Sequence, residues 1–358
     1  MASSLTDWLA LELARGLGLG AKLSLLDVAP VEVLRQWALT GDLPGGHHDF
    51  AQTLAYPDRR RLDLALSWAE GDNRQILTLD HPGYPQALRQ IADPPLLLFV
   101  EGSPQLLAGP ALAVVGSRRA TPAAKERTQQ WCRELAAEGW VIVSGLAEGI
   151  DGAAHRGALA GGKTVAVTGC GLSRCYPRIH NRLQNEIARQ GAVVSTFWPD
   201  MRPHKGCFPR RNRVVSGLCY ATLVVEAGVK SGSLITARLA AEQGREVFAV
   251  PGSVDNPQAQ GCHFLIQQGA KLVSAPVDIF EELMPQLPRR SQSGIRPQAP
   301  ELPLPRLLDS VGYEATPVDV VVARSDLPVD VVLEQLLLLE LEGRVTQVPG
   351  GYIRLRGG

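Results

Sequence analysis

Apolar residues in the first seventy positions recur at helical spacing, with Leu9, Leu13 and Leu17 followed by Val31, Leu34 and Trp37. Intervals of three and four residues put such side chains on one helix face, so residues 5 to about 68 read as short helices. From Ala111 the pattern changes. Short, nearly all-apolar runs at 111–115, 141–144, 164–168, 192–195, 222–226 and 246–250 alternate with amphipathic stretches. Runs without a polar side are buried on both faces, which implies a parallel sheet covered by helices on each side. The stretch 122–138 shows the helical partner clearly: Thr121 stands as N-cap, Pro122 at the first helical position and Gly139 as the stop. The predicted fold class is therefore α/β, a Rossmann-like doubly wound parallel sheet.

Beyond this sheet, residues 283–305 hold six prolines (Pro285, Pro288, Pro297, Pro300, Pro303 and Pro305) with little apolar periodicity. Such a stretch reads as an extended, semi-rigid linker. Three helical patterns and a hairpin at 345–348 and 352–355, turning at Pro349-Gly350-Gly351, follow it. That order is the plan of a winged helix. The predicted organisation is a helical domain at 1–75, the Rossmann-like core at 76–282, a linker at 283–305 and a winged helix at 306–358.

Charge changes the picture where composition does not. The formal net charge is zero, yet residues 116–272 hold 20 Lys and Arg against 11 Asp and Glu, a net +9, and the remainder carries −9. A basic core between acidic flanks points to a polyanionic partner. Met1 to Leu13 lack the features of a signal peptide, and no apolar run reaches the roughly 18 residues of a membrane span. The six cysteines include no C-x-x-C pair, so free thiols of a reducing cytoplasm are expected rather than a zinc site.

In an open parallel sheet, ligands meet the loops at the carboxyl ends of the strands. Those loops carry Gly116-Ser117-Arg118-Arg119, Ser144-Gly145 through Asp151, Gly169-Cys170-Gly171 with Tyr176-Pro177-Arg178, and Lys230-Ser231-Gly232-Ser233. Glycine admits a phosphate close to the backbone, and the following helix N-terminus offers free amides. The densest signal is Arg202-Pro203-His204-Lys205-Gly206-Cys207-Phe208-Pro209-Arg210-Arg211-Asn212-Arg213, which is cationic without an acid and has one aromatic ring in its midst. Cations that track phosphates beside a ring on which a base stacks are the physical recipe for binding a single strand. Affinity is then expected to fall steeply with salt and to show little base preference.

Several features are read as structural. Gly157 to Thr164 matches the P-loop letter for letter, but a helix precedes it and a strand follows, the inverse of a working P-loop. The Gly16-Leu17-Gly18-Leu19-Gly20 step resembles a helix-hairpin-helix turn but is read first as a plain turn in a bundle, since loop glycines mostly serve backbone geometry. Asp151 is placed as a first-turn helix residue, and His155 as a packing or hydrogen-bonding residue. Glu226 is the most enzyme-like carboxylate, with no partner at short range and a possible arginine to neutralise. No catalytic set emerges. The alternative is a Rossmann-like nucleotide phosphoribohydrolase using Glu226 or Asp151, although its Pro-Gly-Gly-x-Gly-Thr loop is missing ahead of Glu226. A third reading makes the winged helix the DNA reader. Its candidate recognition helix, 329–342, carries four acids and no Lys or Arg, which favours a protein contact.

The ordered set Gly116-Ser117-Arg118, Ser144-Gly145 with Gly149-Ile150-Asp151 and His155, Tyr176-Pro177 with Asn181, Phe208 to Arg213, Ser231 to Ala237 and Val250 to Ser253 resembles the bacterial DNA-processing DprA (Smf) family. The resemblance runs from about Thr78 to Val273. It implies a Rossmann-like core that binds single-stranded DNA, forms homodimers and passes the strand to the recombinase RecA, protecting DNA taken up in natural transformation. It also implies an N-terminal helical domain of sterile-alpha-motif type and a C-terminal winged helix, with no cofactor and no metal. DNA contacts are implied at Arg118, Arg178, Lys205 and Phe208, with Arg211 and Arg213 nearby. Together with the loops, the expected DNA site comprises Gly116, Ser117, Arg118, Ser144, Gly145, Arg178, Lys205, Phe208, Arg210, Arg211, Asn212, Arg213, Lys230 and Ser231. Two departures are Ser195-Thr196 in place of the family's Ser-Glu, and Cys219 in place of a typical serine.

Overall fold

The computed structural model describes residues 4–283 apart from 46, and 307–355 apart from 309, 313, 326 and 342. The expected linker, from 284 onward, lies outside the described residues. Residues 1–287 and 288–358 form separate compact units.

Five helices open the first unit: α1 Leu5–Leu13, α2 Leu19–Val28, α3 Val31–Thr40, α4 His48–Ala55 and α5 Arg59–Ala69. Side chains cap two of them, with Ser4 accepting from the Thr6 amide and Asp58 from the Arg61 amide. Their apolar faces, including Leu9, Leu34, Phe50 and Leu54, join one core with Phe99, Ile187, Val193 and Trp198 of the sheet region. The helical region is thus packed onto the α/β core. Gly16 and Gly18 lie in the turn between α1 and α2, and Gly20 is already in the first turn of α2.

The sheet has nine strands: β1 Arg74–Thr78, β2 Leu97–Gly102, β3 Ala111–Val115, β4 Val141–Ser144, β5 Thr164–Val167, β6 Ala192–Ser195, β7 Ala221–Val224, β8 Glu246–Ala249 and β9 Lys271–Leu272. Their spatial order is β1-β2-β6-β5-β4-β3-β7-β8-β9. Strands β3 to β9 run parallel, whereas β1 pairs antiparallel with β2 and β2 with β6. The six strands predicted from the sequence make up the doubly wound parallel part as expected, and β1 and β2 add an antiparallel edge to it. The extra edge strands fall in a stretch without the strand-helix alternation that flags a parallel unit, and only pairing with β6 gives them a place.

Period-two alternation sorts β3 between two cores. Ala111, Ala113 and Val115 pack with Val214, Val215 and Cys262, and Leu112 and Val114 pack with Trp131, Ile150 and Ala154 on the other face. The covering helices are α6 Gln86–Arg89, α7 Pro122–Ala137, α8 Ile150–Gly161, α9 Asn181–Gln190, α10 Cys207–Gly217, α11 Gly232–Glu242, α12 Gln260–Gln267 and α13 Pro276–Leu283. Helix α7 is capped by Thr121, as predicted, its hydroxyl accepting from the Ala124 amide. The P-loop-like letters have a packing origin. A Cβ at Gly157 or Gly161 would stand 2.1 Å from the carbonyl oxygen of Gln129 or Arg133, so these glycines let α8 lie against α7.

The chain enters the parallel part at β3, proceeds outward through β4, β5 and β6, and then crosses back to β7 on the other side of β3. Loops leaving β3 and β7 therefore diverge, and the crevice between them is the switch point where such sheets bind ligands.

In the second unit α14 Val318–Ser325 and α15 Val329–Leu341 precede the antiparallel hairpin β10 Val345–Val348 and β11 Gly351–Arg354. Thr316 and Tyr352 exchange backbone hydrogen bonds at 2.9 Å, adding a third rung. Val321, Val332, Leu336 and Val345 form its core.

Candidate nucleic-acid interface

The crevice between the β3 and β7 loops is a cleft of about 440 Å³. Its walls are braced by backbone contacts. The Ser117 amide donates to the Glu226 carbonyl at 2.6 Å, and the Ser117 carbonyl accepts from the Ile150 amide at 3.3 Å. The Glu226 carboxylate accepts from the Thr121 amide at 2.9 Å, from its hydroxyl at 2.8 Å and from the Asn256 amide group at 3.4 Å. Glu226 is thus buried between neutral donors, and the expected neutralisation of an arginine is corrected: its partners are distant in sequence and uncharged. Ser144 is buried and donates to the Val114 carbonyl at 2.6 Å, so it holds β4 to β3 instead of facing the cleft.

Around the mouth stand Arg118, Arg119 and Lys230, all exposed, and none is paired with a carboxylate among the described residues. Next to Lys230, Ser231 caps α11 by accepting from the Ser233 amide at 3.3 Å. The α11 N-terminus, with Ser231, Gly232 and Ser233, opens into the same cleft. Cations, hydroxyls and a helix N-terminus facing one hollow suit an anion.

The floor is built from two buried charges. Arg211, only 5% exposed, donates to the carbonyls of Gly145 and, at 2.9 Å, Val167. Asp151 accepts from the Ala147 amide at 3.2 Å. Burial holds the Asp151 carboxyl above its ordinary range, with Arg211 and the Ala147 and Gly145 amides pulling it back. Burial likewise lowers Arg211, and Asp151 opposes that shift. Arg211 therefore ties the ends of β4 and β5 together from beneath. Asn212, next along α10, donates to the Gly232 carbonyl at 3.4 Å and ties α10 to the α11 N-terminus.

Phe208 closes one end of the cleft. Its ring lies against Gly169, where a Cβ would come within 3.0 Å of it, so the absence of a side chain there makes room for the ring. The Arg118 guanidinium stands over the ring at 5.5 Å, and the Tyr176 ring lies 5.6 Å away at 43°. Tyr176 is 41% exposed. Lys205 is exposed in the turn ahead of α10, and Arg178 lines a neighbouring cleft.

Two arginines of the basic run have other surroundings. Arg210 stacks over Phe197 at 5.3 Å, and Arg213 pairs with Asp93. Both line a separate cleft of about 200 Å³ with Glu12 and Lys22 of the helical region. Lys22 is itself buried, its ammonium donating to the carbonyls of Leu11 at 2.8 Å and Glu12 at 3.1 Å.

His155 is fully buried, with Nδ1 2.8 Å from the Thr164 hydroxyl, and burial pushes it down to about 3. It is a packing residue, as read from the sequence. All six cysteines are free. Among the described residues no group of three His, Cys, Asp or Glu could hold a metal ion, and no helix is long and apolar enough to cross a membrane. Arg119, Tyr176, Ser233 and Thr236, which belong to the loops and motifs singled out in the sequence but not to the expected site, also line the cleft or the small hollow beside it. Tyr176 carried a signal, since an aromatic flanking a basic loop residue is a stacking candidate.

The family model for DNA recombination-mediator protein A matches residues 75–284, and the DprA winged helix domain matches residues 295–351. Protein Smf of Escherichia coli (strain K12) is 47% identical over 311 residues, covering 85% of this chain and 83% of that protein. The X-ray structure of DNA processing protein A from Streptococcus pneumoniae superposes with a TM-score of 0.70 at 37% identity, over 79% of this chain and 99% of that one. DNA processing protein A from Helicobacter pylori, a structure described for its single-stranded DNA binding mode, gives a TM-score of 0.55 at 34% identity, over 60% and 98%. With core and winged helix both matched, and in this order, the chain belongs to the DprA/Smf family of DNA-processing proteins.

Proposed function

We propose that this protein binds single-stranded DNA in the cleft between the β3 and β7 loops, protects the strand and helps load RecA on it during natural transformation and recombination. It acts in the cytoplasm as a binding protein and not as an enzyme. The observation that carries this reading is the ring of unpaired cations, Arg118, Arg119 and Lys230, around a cleft that ends on Phe208. Phosphates meet the cations and the α11 N-terminus, and a base reaches Phe208 as Arg118 moves from its ring to a phosphate. The single-strand binding mode described for the Helicobacter pylori relative supports it. The bracing of Glu226 by Thr121 and Asn256 supports a structural use of that carboxylate over a hydrolytic one.

A homodimer fits an exposed apolar face beside the cleft. Val229, Ile235 and Phe264 surround a groove of about 750 Å³, and a second copy of the chain would cover it. Phe264→Asp should then shift the sedimentation coefficient from that of a dimer to that of a monomer.

Fluorescence anisotropy of labelled oligo-dT and its duplex at two salt concentrations tests the central reading. The expected result is salt-sensitive binding that prefers the single strand and weakens about tenfold in Arg118→Ala, in line with one charge-assisted contact. Absence of single-strand binding at low salt would refute it. RecA filament assembly on strands covered by a competing single-strand binder, with and without this protein, tests the loading step.

A further inference from the structure

Beyond the Phe208–Tyr176 pair lies a second hollow of about 730 Å³, in which Arg178 alone belongs to the DNA site expected from the sequence. Arg174, Arg178 and Arg202 line it, and no acidic residue does. None of the three is paired with a carboxylate among the described residues. A small hollow of about 40 Å³ links the two clefts. It shares Arg118, Phe208 and Arg211 with the first cleft and Tyr176 with the second. Exposed Glu148 is the one acid among the residues that line this linking hollow and the second cleft.

The second hollow is preorganised. The Gly171 amide donates to the Met201 carbonyl at 3.0 Å, and the Ser173 amide to the Pro199 carbonyl at 3.0 Å. These contacts cross-brace the loop that carries Arg174 with the segment that carries Arg202. Arg174 Nε donates to the Asp200 carbonyl at 2.9 Å, which fixes the guanidinium stem and leaves its terminal nitrogens for a ligand. Three cations on braced loops, with no acid among them, attract a linear polyanion more than a single small anion. Tyr176 is the more exposed ring of the aromatic pair and stands where the two hollows meet.

We infer that the bound strand continues past Phe208 into this second cleft, where a base stacks on Tyr176 and Arg174, Arg178 and Arg202 take the following phosphates. This rests on the single-strand reading of the first cleft. Neither Arg174, Arg202 nor Tyr176 belongs to the primary cleft.

The test compares oligo-dT of about 4 and about 12 nucleotides, sizes that span short and long single-strand sites. The full-length protein is used as wild type, Arg174→Ala/Arg202→Ala, Arg202→Ala alone and Tyr176→Ala, with thermal melts to verify folding. The double variant should lose roughly tenfold in affinity for the long strand and keep its affinity for the short one. Its salt slope on the long strand should fall by about 1.4, which is two contacts at about 0.7 each. Arg202→Ala, whose side chain makes no hydrogen bond or ion pair among the described residues, should show about half that slope change. Equal weakening on both lengths, or no change on the long strand, would overturn the extension and leave the first cleft standing. If wild type bound neither length, the single-strand reading itself would fail, and the extension with it.

Discussion

Arg211 and Arg213 are two residues apart on α10, yet they live in different worlds. Arg211 is buried under the cleft and holds the carbonyls of Gly145 and Val167. Arg213 pairs with Asp93 on the side that faces the helical region. A helix turns about 100° per residue, so residues two apart point roughly 200° from each other. Phe208, Arg211 and Asn212 fall on one side by this rule, and Arg210 and Arg213 on the other. A run of cations that reads as one DNA-binding unit is therefore divided by helix geometry. One part supports the cleft, and another lines a separate cleft shared with Glu12 and Lys22 of the helical region.

The largest expected break of this contrast is Arg211→Ala. It leaves Asp151 and two carbonyls without their partner in a buried floor, a loss of about 3 kcal/mol or more. An unfolding free energy within about 1 kcal/mol of wild type, from urea denaturation by linear extrapolation, would remove Arg211 from the floor's support. Next comes Phe208→Ala, which should keep its fold and lose about 1–3 kcal/mol of single-strand affinity, as removal of a stacking ring does. Unchanged anisotropy titrations would take the ring out of the site.

A third prediction concerns pH. The folded pKa of His155 is about 3, below its ordinary 6.5, so between those values the unfolded chain binds the extra proton. Its contribution to stability is complete above about pH 6.5 and is lost as pH falls toward 3, at no more than about 1.4 kcal/mol per pH unit. Denaturation midpoints for wild type and His155→Gln over that range should show the variant with the flatter profile. Identical profiles would contradict the burial of a neutral imidazole.

The smallest effect belongs to Arg213→Ala. Its partner Asp93 is nearly half exposed, so the pair is worth at most about 1 kcal/mol. Single-strand affinity should stay within about twofold of wild type. A loss as large as that of Arg118→Ala would place both sides of α10 on the DNA and erase the contrast.

Much of the molecule was legible in the chain. The six predicted core strands occur within two residues of their expected ends, because each is a short apolar run buried on both faces. Thr121, Pro122 and Gly139 bounded α7 through local capping rules alone. The loops at the strand ends brought Ser117, Arg118, Lys230 and Ser231 to one cleft as expected, since strand direction alone decides which rim a loop occupies. Arg210, Arg213 and Ser144 illustrate what was not legible. Their residue types fit a phosphate site, but their surroundings come from Phe197, Asp93 and the Val114 carbonyl, which are remote or backbone groups without a local sequence mark.

By itself the sequence determined the periodicity, the caps, the charge bias of the core and the glycine-rich loops, all of which act over a few neighbouring residues. The tertiary structure alone decided that β1 and β2 join the sheet antiparallel, that Glu226 is met by Thr121 and Asn256, and that Phe208 shares its surroundings with Tyr176. It also set the helical region on the α/β core through Phe99 and Trp198. Such contacts join residues tens to more than a hundred positions apart, and burial and pairing across the whole fold select them.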